Sequence, residues 1–455
     1  MTISLLESVE QGLPPLSEVR NSEPGTYVRF HDDTPYPDDP SRSVGGFVVE
    51  TRRGMFGRTK VRSNAQLSRL YGHDPVFSNS IIGPRNHLTY SNSAQIVRAT
   101  GGATAPAAVL ATIPADDDAP DDLVGRIMLL PVIVGEQAQP DAISLSDDMA
   151  IGFVSKHPGQ MPVNIKLVPE MESPLGGFWV FVDSALGAES YHVSLTHRTN
   201  GYNRQMYVED VINRASESIV VVVNTNYSGE LIDELVDREM RVRLGGGFAG
   251  DRVTDIDVLD CLREFIDTDA CLLDTLVQNG WITPSISRTM TKIAEYRQDT
   301  HVILDVPYSC INTRDDNERV ERLQEYRRDK LRIDSSYASL YADWFEVTDI
   351  STQMKLAVPP SMVVCGVYAF VDSQYHAHYA PAGKSRADLA RFGVNRIING
   401  ALPHEFRNPL SQAQINATRS IDEDGIYLWN DRTLQRLESS LTFIGTARMR
   451  NALKK

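Results

Sequence analysis

Three glycines near the middle of the chain have the spacing of a dinucleotide-binding loop. Gly245, Gly247 and Gly250 satisfy G-x-G-x-x-G, between the strand-like segment RVRL and a helical pattern. Such a loop holds a pyrophosphate on the backbone N–H groups at a helix N-terminus. Here the helix start carries Asp255 and Asp257, which suit the helix dipole and repel phosphate. We therefore interpret the glycines as a flexible turn, and a nucleotide-binding enzyme remains the alternative.

Two further patterns near residue 380 are incomplete. Gly383, Lys384 and Ser385 match the end of a P-loop, but His378 stands where the motif requires its first glycine. His376 and His378 have the spacing of two metal ligands on one strand face, and the nearby sequence offers no third ligand. We expect neither an ATP site nor a metal site here, and we interpret the histidines as part of a polar strand face.

No other pattern predicts catalysis. The sequence contains neither G-x-S-x-G nor HExxH. Asp305 ends the run HVILD, at the strand end where α/β enzymes often place an acid. Capping a helix or ordering a loop is the commoner role, and we predict that role. The four cysteines are far apart and form no CxxC pair, so we predict small buried apolar residues at Cys261, Cys271, Cys310 and Cys365. We expect no catalytic residue, cofactor or metal.

Composition restricts the possible partners. Hydrophobic residues make up 42% of the chain and charged residues 23%, which is typical of a soluble globular protein, and 455 residues suggest about three domains. The N-terminus has no signal-peptide pattern, and no apolar run is long enough to span a membrane. The net charge of -15 argues against nucleic-acid binding. From Lys384 onward the chain carries +5 and the rest -20, which favours head-to-tail attraction between subunits.

The apolar pattern before residue 100 predicts the first half of an α/β domain. Residues 1–22 show no sustained period and read as an extended arm. The clearest helix signal begins at Ser63, a typical N-cap, and ends at Gly72. We predict strands at residues 24–30, 44–49 and 95–99 and helices at residues 63–72 and 85–91.

The middle of the chain predicts a β-rich insertion. Residues 101–122 are small, Pro-bearing and acidic, with five aspartates between Asp116 and Asp122, and we interpret them as a linker or surface loop. From Arg126 to Val242, short β-favouring runs follow at even intervals: IMLLPVIV, NIKLV, FWVFV, YHVSL and SIVVVV.

Beyond Gly250 the α/β pattern returns. VTDIDVLDCLREFI and SISRTMTKIAEYR have helical spacing, HVILDVP reads as a strand, and residues 315–328 read as a charged helix. SMVVCGVYAFVD reads as a buried strand, approached through the extended pair Pro359 and Pro360. We predict that this segment completes the sheet begun before residue 100.

In this order the segments resemble the tail-sheath family of contractile bacteriophages. PGTYV, VGGFVVETRRGMFG, LYG and IVRA resemble its first core half, and SKHPG, GGGFAGD and ILDVP continue the match. The densest similarity begins at Ser336, with SYASLYADWFEV, VPPSMVVCGVYAFVD and APAGKSRADL, and ends with INATRSIDEDGIYLWNDRTL. Phe370 and Asn430 depart from the usual Arg and Gly of the family.

The resemblance implies a structural subunit with no enzymatic activity. It implies an α/β multidomain fold, an α/β sheath core interrupted by a β-rich inserted domain. The expected parts are an N-terminal arm (1–22), a first core half (23–100), an outer insertion (101–245), a second core half (246–400) and a C-terminal assembly region (401–455) that ends earlier than is usual in the family.

The same resemblance implies a helical machine. Subunits would form stacked hexameric rings around a tail tube in the virion, after assembly in the host cytoplasm, and contraction would drive the tube through the host envelope for genome ejection. The implied partners are other copies of the chain, the tube protein, the baseplate and the tail terminator, without nucleic acid, cofactor or membrane insertion. A bacteriocin particle or a type VI secretion sheath is the alternative.

Assembly would then depend on apolar residues of the arm and on cations of the C-terminal part. We expect residues 1–22 to donate a strand to a neighbouring subunit, and residues 401–455 to face the tube. The predicted assembly residues are Ile3, Leu5, Leu6, Val9, Lys384, Arg386, Arg432, Arg448 and Arg450.

Overall fold

A computed structural model of the chain describes residues 43–55, 57–113, 126–132, 145–170, 177–200, 204–349, 352–421 and 425–454. These residues all belong to one compact unit, residues 40–455. The predicted arm, the predicted strand at residues 24–30 and the acidic run from Asp116 to Asp122 lie outside the described residues.

The described residues contain strands β1 (Gly45–Glu50), β2 (Thr59–Val61), β3 (Ala94–Ala99), β4 (Ala107–Thr112), β5 (Ile127–Val132), β6 (Met149–Ser155), β7 (Val163–Pro169), β8 (Phe178–Ser184), β9 (Gly187–Val193), β10 (Ile219–Val223), β11 (Met240–Arg243), β12 (Thr275–Val277), β13 (His301–Asp305), β14 (Ala338–Tyr341), β15 (Phe345–Thr348), β16 (Lys355–Val358), β17 (Val394–Ile397), β18 (Ile415–Asn416), β19 (Thr418–Ile421) and β20 (Gly425–Leu428).

The helices of the same residues are α1 (Asn64–Tyr71), α2 (Ile82–Leu88), α3 (Val208–Ala215), α4 (Asp255–Arg263), α5 (Pro284–Arg297), α6 (Tyr308–Ile311), α7 (Asp316–Glu325), α8 (Ser361–Gln374), α9 (His404–Gln412) and α10 (Ile444–Leu453). α7 continues as a π-helical turn, Tyr326–Leu331. Within this described part of the chain, no helix combines the length and the apolar character needed to cross a membrane.

A seven-stranded sheet forms the centre of the fold. Its order is β18-β14-β13-β12-β1-β3-β2, and all neighbours are parallel except β2, which runs antiparallel to β3. β1 pairs in parallel with β12, which lies more than 220 residues further along the chain. The prediction that the second α/β segment completes the first sheet is therefore confirmed.

Helices cover both sides of this sheet, as parallel strands require. Val48 and Val97 point to one side, where α4 and α5 pack in a common hydrophobic core. Phe47 and Val49 point to the other side, where α2 and α8 pack. The Ser63 cap and the Gly72 end of α1 are as predicted, whereas α2 begins three residues earlier than predicted.

The segment SMVVCGVYAFVD is a helix, so its prediction as a strand was wrong. It forms most of α8, which is buried on nearly every side. An unbroken apolar run shows neither helical nor strand periodicity, and a helix buried all round has that sequence pattern. Pro360 is the N-cap of α8, and the two prolines therefore start a helix. Gly366 allows α8 to approach α2, because a Cβ there would lie 3.1 Å from the Asn86 carbonyl oxygen.

Two antiparallel four-stranded sheets, ordered β10-β6-β4-β5 and β11-β7-β8-β9, form a sandwich around a separate hydrophobic core. All five predicted runs form strands in these sheets. The predicted linker at residues 101–122 was wrong in part, because β4 is an interior strand between β5 and β6. The alanines of β4 have low strand propensity, so the sequence did not indicate a strand. The segment nevertheless forms a strand because it is buried between two neighbouring strands. The division into domains at residues 101 and 245 stays a prediction.

Candidate assembly surface

The glycine motif lies in a paired connector. Ala107 and Gly245 exchange both backbone hydrogen bonds, at 2.8 and 3.0 Å, and further bridges continue to Gly101 and Asp251. A Cβ on Gly247 would lie 2.3 Å from the carbonyl oxygen of Gly159, so only glycine fits there. The motif thus serves the close approach of two backbone segments.

The helix that follows the glycines has its N-terminus already capped. The Thr254 side chain accepts a hydrogen bond from the Asp257 N–H, and the Asp257 carboxylate accepts one from the Thr254 N–H. This capping box already uses the Thr254 and Asp257 N–H groups, two of the donors near which a pyrophosphate would bind. The geometry therefore argues against the dinucleotide alternative.

Asp305 caps a helix, as predicted. Its carboxylate accepts hydrogen bonds from the backbone N–H and the hydroxyl of Ser361, both at 2.6 Å, at the start of α8. The side chain is fully buried, and burial raises the pKa of Asp305 to about 7. A carboxyl group enclosed in this way orders the helix and has no access to a substrate.

The histidines and the P-loop-like residues lie in turns. His376 and His378 follow α8, where their rings stack 5.6 Å apart, so their placement on a strand was wrong. Among the described residues, no three His, Cys, Asp or Glu side chains are grouped as metal ligands. Gly383 has φ +91° and donates its N–H to the Leu428 carbonyl at 2.8 Å, and the exposed Lys384 follows it.

Three of the cysteines are buried, as predicted, and Cys261 is half-buried. Burial, together with the nearby Asp257, Asp260 and Glu264 carboxylates, raises the pKa of the Cys261 thiol to about 12. The thiolate is therefore scarce at neutral pH, which makes this cysteine a poor nucleophile.

Two of the predicted assembly cations, Arg448 and Arg450, lie on α10. Arg448 is 4% exposed and donates two hydrogen bonds to the Asp372 carboxylate, at 2.5 and 2.6 Å. Its guanidinium lies over the Tyr368 ring at 4.6 Å. Asn451 donates to the Thr300 carbonyl at 3.0 Å. These polar contacts fasten α10 to the core of its own subunit.

The other cations make similar contacts. Arg450 donates to the Ser336 hydroxyl at 2.8 Å and lies over the Tyr337 ring at 3.7 Å. Arg432 lies over the Phe443 ring at 5.0 Å. Arg386 donates to the Ala380 carbonyl at 3.0 Å. Their role between subunits stays a prediction, as does that of the arm residues, which lie outside the described residues.

The sequence analysis missed a set of exposed apolar side chains in the last part of the chain, which we name the C-terminal surface. Leu437 and Leu453 are the most open, at 79% and 77% exposed. Exposed apolar side chains that lie close together can form a contact with another molecule. The C-terminal surface consists of Trp429, Leu437, Phe443, Met449 and Leu453. Met449 and Leu453 were detectable in principle, because the helical spacing puts them on one face of α10.

An open strand edge lies beside this surface. β19 and β20 form a two-stranded sheet. Residues 383–388 cover the far side of β20, through hydrogen bonds between Gly383 and Leu428 and between Leu428 and Ala387. Within the described residues no second strand pairs with β19. A two-stranded sheet is marginal alone and gains from an added strand.

Comparisons with known proteins agree at the level of the fold. No protein-family model and no curated protein sequence matches the chain. A sheath tail protein from Listeria innocua aligns in structure over 91% of this chain and 74% of its own, with a TM-score of 0.54 and 10% identity. The chain has the fold of a tail-sheath protein.

Two other sheath structures align less well. A sheath tail protein from Desulfitobacterium hafniense covers 94% of this chain and 81% of its own, with a TM-score of 0.45 and 11% identity. The helical sheath of the anti-feeding prophage, in its contracted state, covers 95% and 74%, with a TM-score of 0.40 and 12% identity. The assignment of the sheath fold rests on the Listeria protein.

Proposed function

We propose that this chain is the structural subunit of the contractile tail sheath of a bacteriophage. The subunits polymerise as stacked hexameric rings around the tail tube, and contraction drives the tube through the host envelope for genome ejection. The observation that carries this proposal is the sheath fold, shared over 91% of the chain with the Listeria protein. The proposed location is the phage tail, after assembly in the host cytoplasm.

The open edge of β19 and the C-terminal surface support polymerisation. A sheath that contracts needs connections that survive a change in subunit packing. A donated strand meets this need, because its main-chain hydrogen bonds do not fix the angle between two subunits. We assign residues 1–22 as the donor and β19 of a neighbouring subunit as the acceptor. Residues 401–455 face the tube, and residues 101–245 face outward.

The proposal includes partners at the ends of the polymer and excludes catalysis. Baseplate and terminator proteins bind the two ends of the sheath, and the tube protein lies within it. The features that resemble nucleotide-binding motifs have structural roles, since Gly247 permits a close backbone approach and Thr254 caps α4. The alternative machines, a bacteriocin particle and a type VI secretion system, are separated by the genes that flank this one.

Negative-stain electron microscopy of the purified chain across a concentration series tests the proposal. We expect hollow tubes or stacked rings above a threshold concentration. A chain that stays monomeric at every concentration and salt level, also when tube protein and baseplate are added, would contradict it.

Deleting residues 1–22 tests the strand donor. We expect polymers to be lost or shortened while the subunit keeps its unfolding temperature. The matched control keeps the full length and changes only Glu7→Gln and Glu10→Gln, which leaves the apolar side chains of the arm in place. Unchanged yield and length of the polymers after the deletion would refute the assignment of the arm.

A further inference from the structure

Positive charge is concentrated at one edge of the central sheet. Between Thr51 and His73 the chain has six Arg and Lys residues and no Asp or Glu, although its net charge is -15. The six are Arg52, Arg53, Arg58, Lys60, Arg62 and Arg69. They belong to β2, to α1 and to the loops before and after β2.

β2 is the last strand of the sheet, and within the described residues its outer edge has no partner strand. Val61 pairs with Ala94, and both are fully buried. Lys60 pairs with Gln95 on the opposite side of the sheet. Because side chains alternate along a strand, Lys60 and the flanking Arg62 share this side. Both are exposed, and we name this pair the basic edge.

Within the described part of the chain, no carboxylate neutralises the charges of the basic edge through an ion pair. Lys60 and Arg62 form no ion pair with any described residue, whereas the nearby Arg52 pairs with Asp74. A lysine on an edge strand helps to protect that edge from aggregation. Two unpaired cations beside further arginines exceed that need and favour an acidic partner.

The chain itself offers such a partner. Residues 251–269, which comprise α4 and the loops at its two ends, carry seven Asp and Glu against two Arg. Asp260, Glu264 and Asp269 are exposed. Ile256 is 70% exposed on the same helix and adds apolar area. We name these four residues the acidic α4 surface. Asp260 also pairs with Arg263 on the same helix, at 3.1 Å, and among the described residues none of the four forms an ion pair with the basic edge of its own subunit.

We propose that the basic edge of one subunit docks on the acidic α4 surface of a second copy of the chain. The inference rests on the proposed function and adds to it a specific contact between subunits. When each copy uses its basic edge toward one neighbour and its acidic α4 surface toward another, the contact is heterologous, and its repetition gives either a closed ring or an open helix. Both outcomes suit a sheath.

Two charge-reversed variants of the full chain test the contact. The edge variant carries Lys60→Glu and Arg62→Glu, and the helix variant carries Asp260→Lys and Glu264→Lys. Each variant alone places like charges against each other, so we expect its threshold concentration for assembly to rise at least about tenfold. Mixed in equal amounts, the variants present opposite charges at every contact, and we expect the threshold to return toward that of the wild type.

The control variant carries Lys292→Glu and Lys330→Glu, which reverses two exposed cations outside both surfaces. It should assemble like the wild type. Thermal unfolding of each variant confirms that it is folded, and pelleting with electron microscopy measures assembly. About 1 M salt should weaken the recovery in the mixture, because screening then acts within about 3 Å.

Either of two results would overturn the contact: single variants that assemble like the wild type, or a mixture that assembles no better than its parts. Both leave the proposed function intact if the wild type forms tubes. If the wild type forms none, also when tube protein and baseplate are added, the proposed function fails. The contact is then judged by whether the two variants form mixed dimers in analytical ultracentrifugation that neither forms alone.

Discussion

Helices α8 and α10 pack against each other but are held in the fold by different forces. α8 is surrounded by apolar side chains of the core. α10 buries few apolar residues and is fastened by Arg448 and Asn451. Its outer face exposes Met449 and Leu453. The core helix thus supports the subunit, whereas the terminal helix carries a surface for other molecules on a polar attachment.

Both helices begin beside an aspartate. Asp305 is fully buried at the start of α8, and the backbone carbonyl of the half-buried Asp431 accepts the Ile444 N–H at 3.3 Å at the start of α10. Burial raises the pKa of Asp305 to about 7 and that of Asp431 to about 6. The cap of the core helix is therefore the more enclosed of the two, and the predictions below test this contrast.

The largest expected effect is on the pH dependence of stability. The folded-state pKa of Asp305 lies above its ordinary value of 3.8. The unfolded chain therefore ionises first, and this group lowers the free energy of unfolding as pH rises from about 4 to 7, by roughly 4 kcal/mol at most. Asp305→Asn should remove this contribution. Urea unfolding of the wild type and the variant at pH 5 and pH 8 measures this contribution. The free energy of unfolding should fall less between pH 5 and pH 8 in the variant than in the wild type.

An Asn at position 305 still accepts the Ser361 N–H bond, so the helix cap survives in the variant. The companion change Asp431→Asn should alter the pH profile less, because its pKa is raised less. Identical pH profiles for Asp305→Asn and the wild type would show that the carboxyl group does not titrate in this range.

The second prediction concerns the attachment of α10. Arg448→Met leaves Asp372 without its cation in a nearly closed site, and removing one partner of a buried pair costs about 3 kcal/mol or more. We expect rapid hydrogen exchange across α10, while α8 stays protected. Arg436→Met, at an exposed arginine without an ion pair among the described residues, is the control. Equal protection of α10 in both variants would contradict the polar attachment.

The prediction with the smallest expected effect compares the loss of stability when two different methionines are changed to alanine. Met362→Ala opens a cavity beneath α8 and should lower the free energy of unfolding by about 2 kcal/mol. Met449→Ala makes the same chemical change at an exposed site and should change it by less than about 0.5 kcal/mol. The second variant should instead raise the assembly threshold. Denaturant unfolding and pelleting separate the two, and equal losses of stability would remove the distinction between the helices.

The sequence predicted much of the fold because local signals were strong. Ser63 and Gly72 mark the ends of α1 through capping and turn chemistry, which depends on nearby residues alone. The strands of the sandwich alternate between buried and exposed positions, for example Phe178 through Val182. Where burial on all sides removed that alternation, as in α8, the prediction failed.

The candidate surface was harder to predict. Arginine was expected to mark contacts between subunits, but the partner of Arg448 is Asp372, 76 positions earlier. No local pattern shows that pairing. Whether β19 has an open edge likewise depends on which other strands lie next to it. This can be known only from the complete topology. The cations could be found from the composition, but their contacts within the subunit could be seen only in the structure.

The paired connector also makes the sandwich replaceable. Ala107 and Gly245 face each other as a hydrogen-bonded pair, the arrangement that a two-residue β-turn closes. A gene in which an Asn-Gly turn replaces residues 108–244 would thus encode a continuous hairpin at the rim of the core. The same junction would accept a foreign domain whose two ends lie one strand spacing apart, which makes this subunit a natural scaffold for displaying other proteins in a regular array.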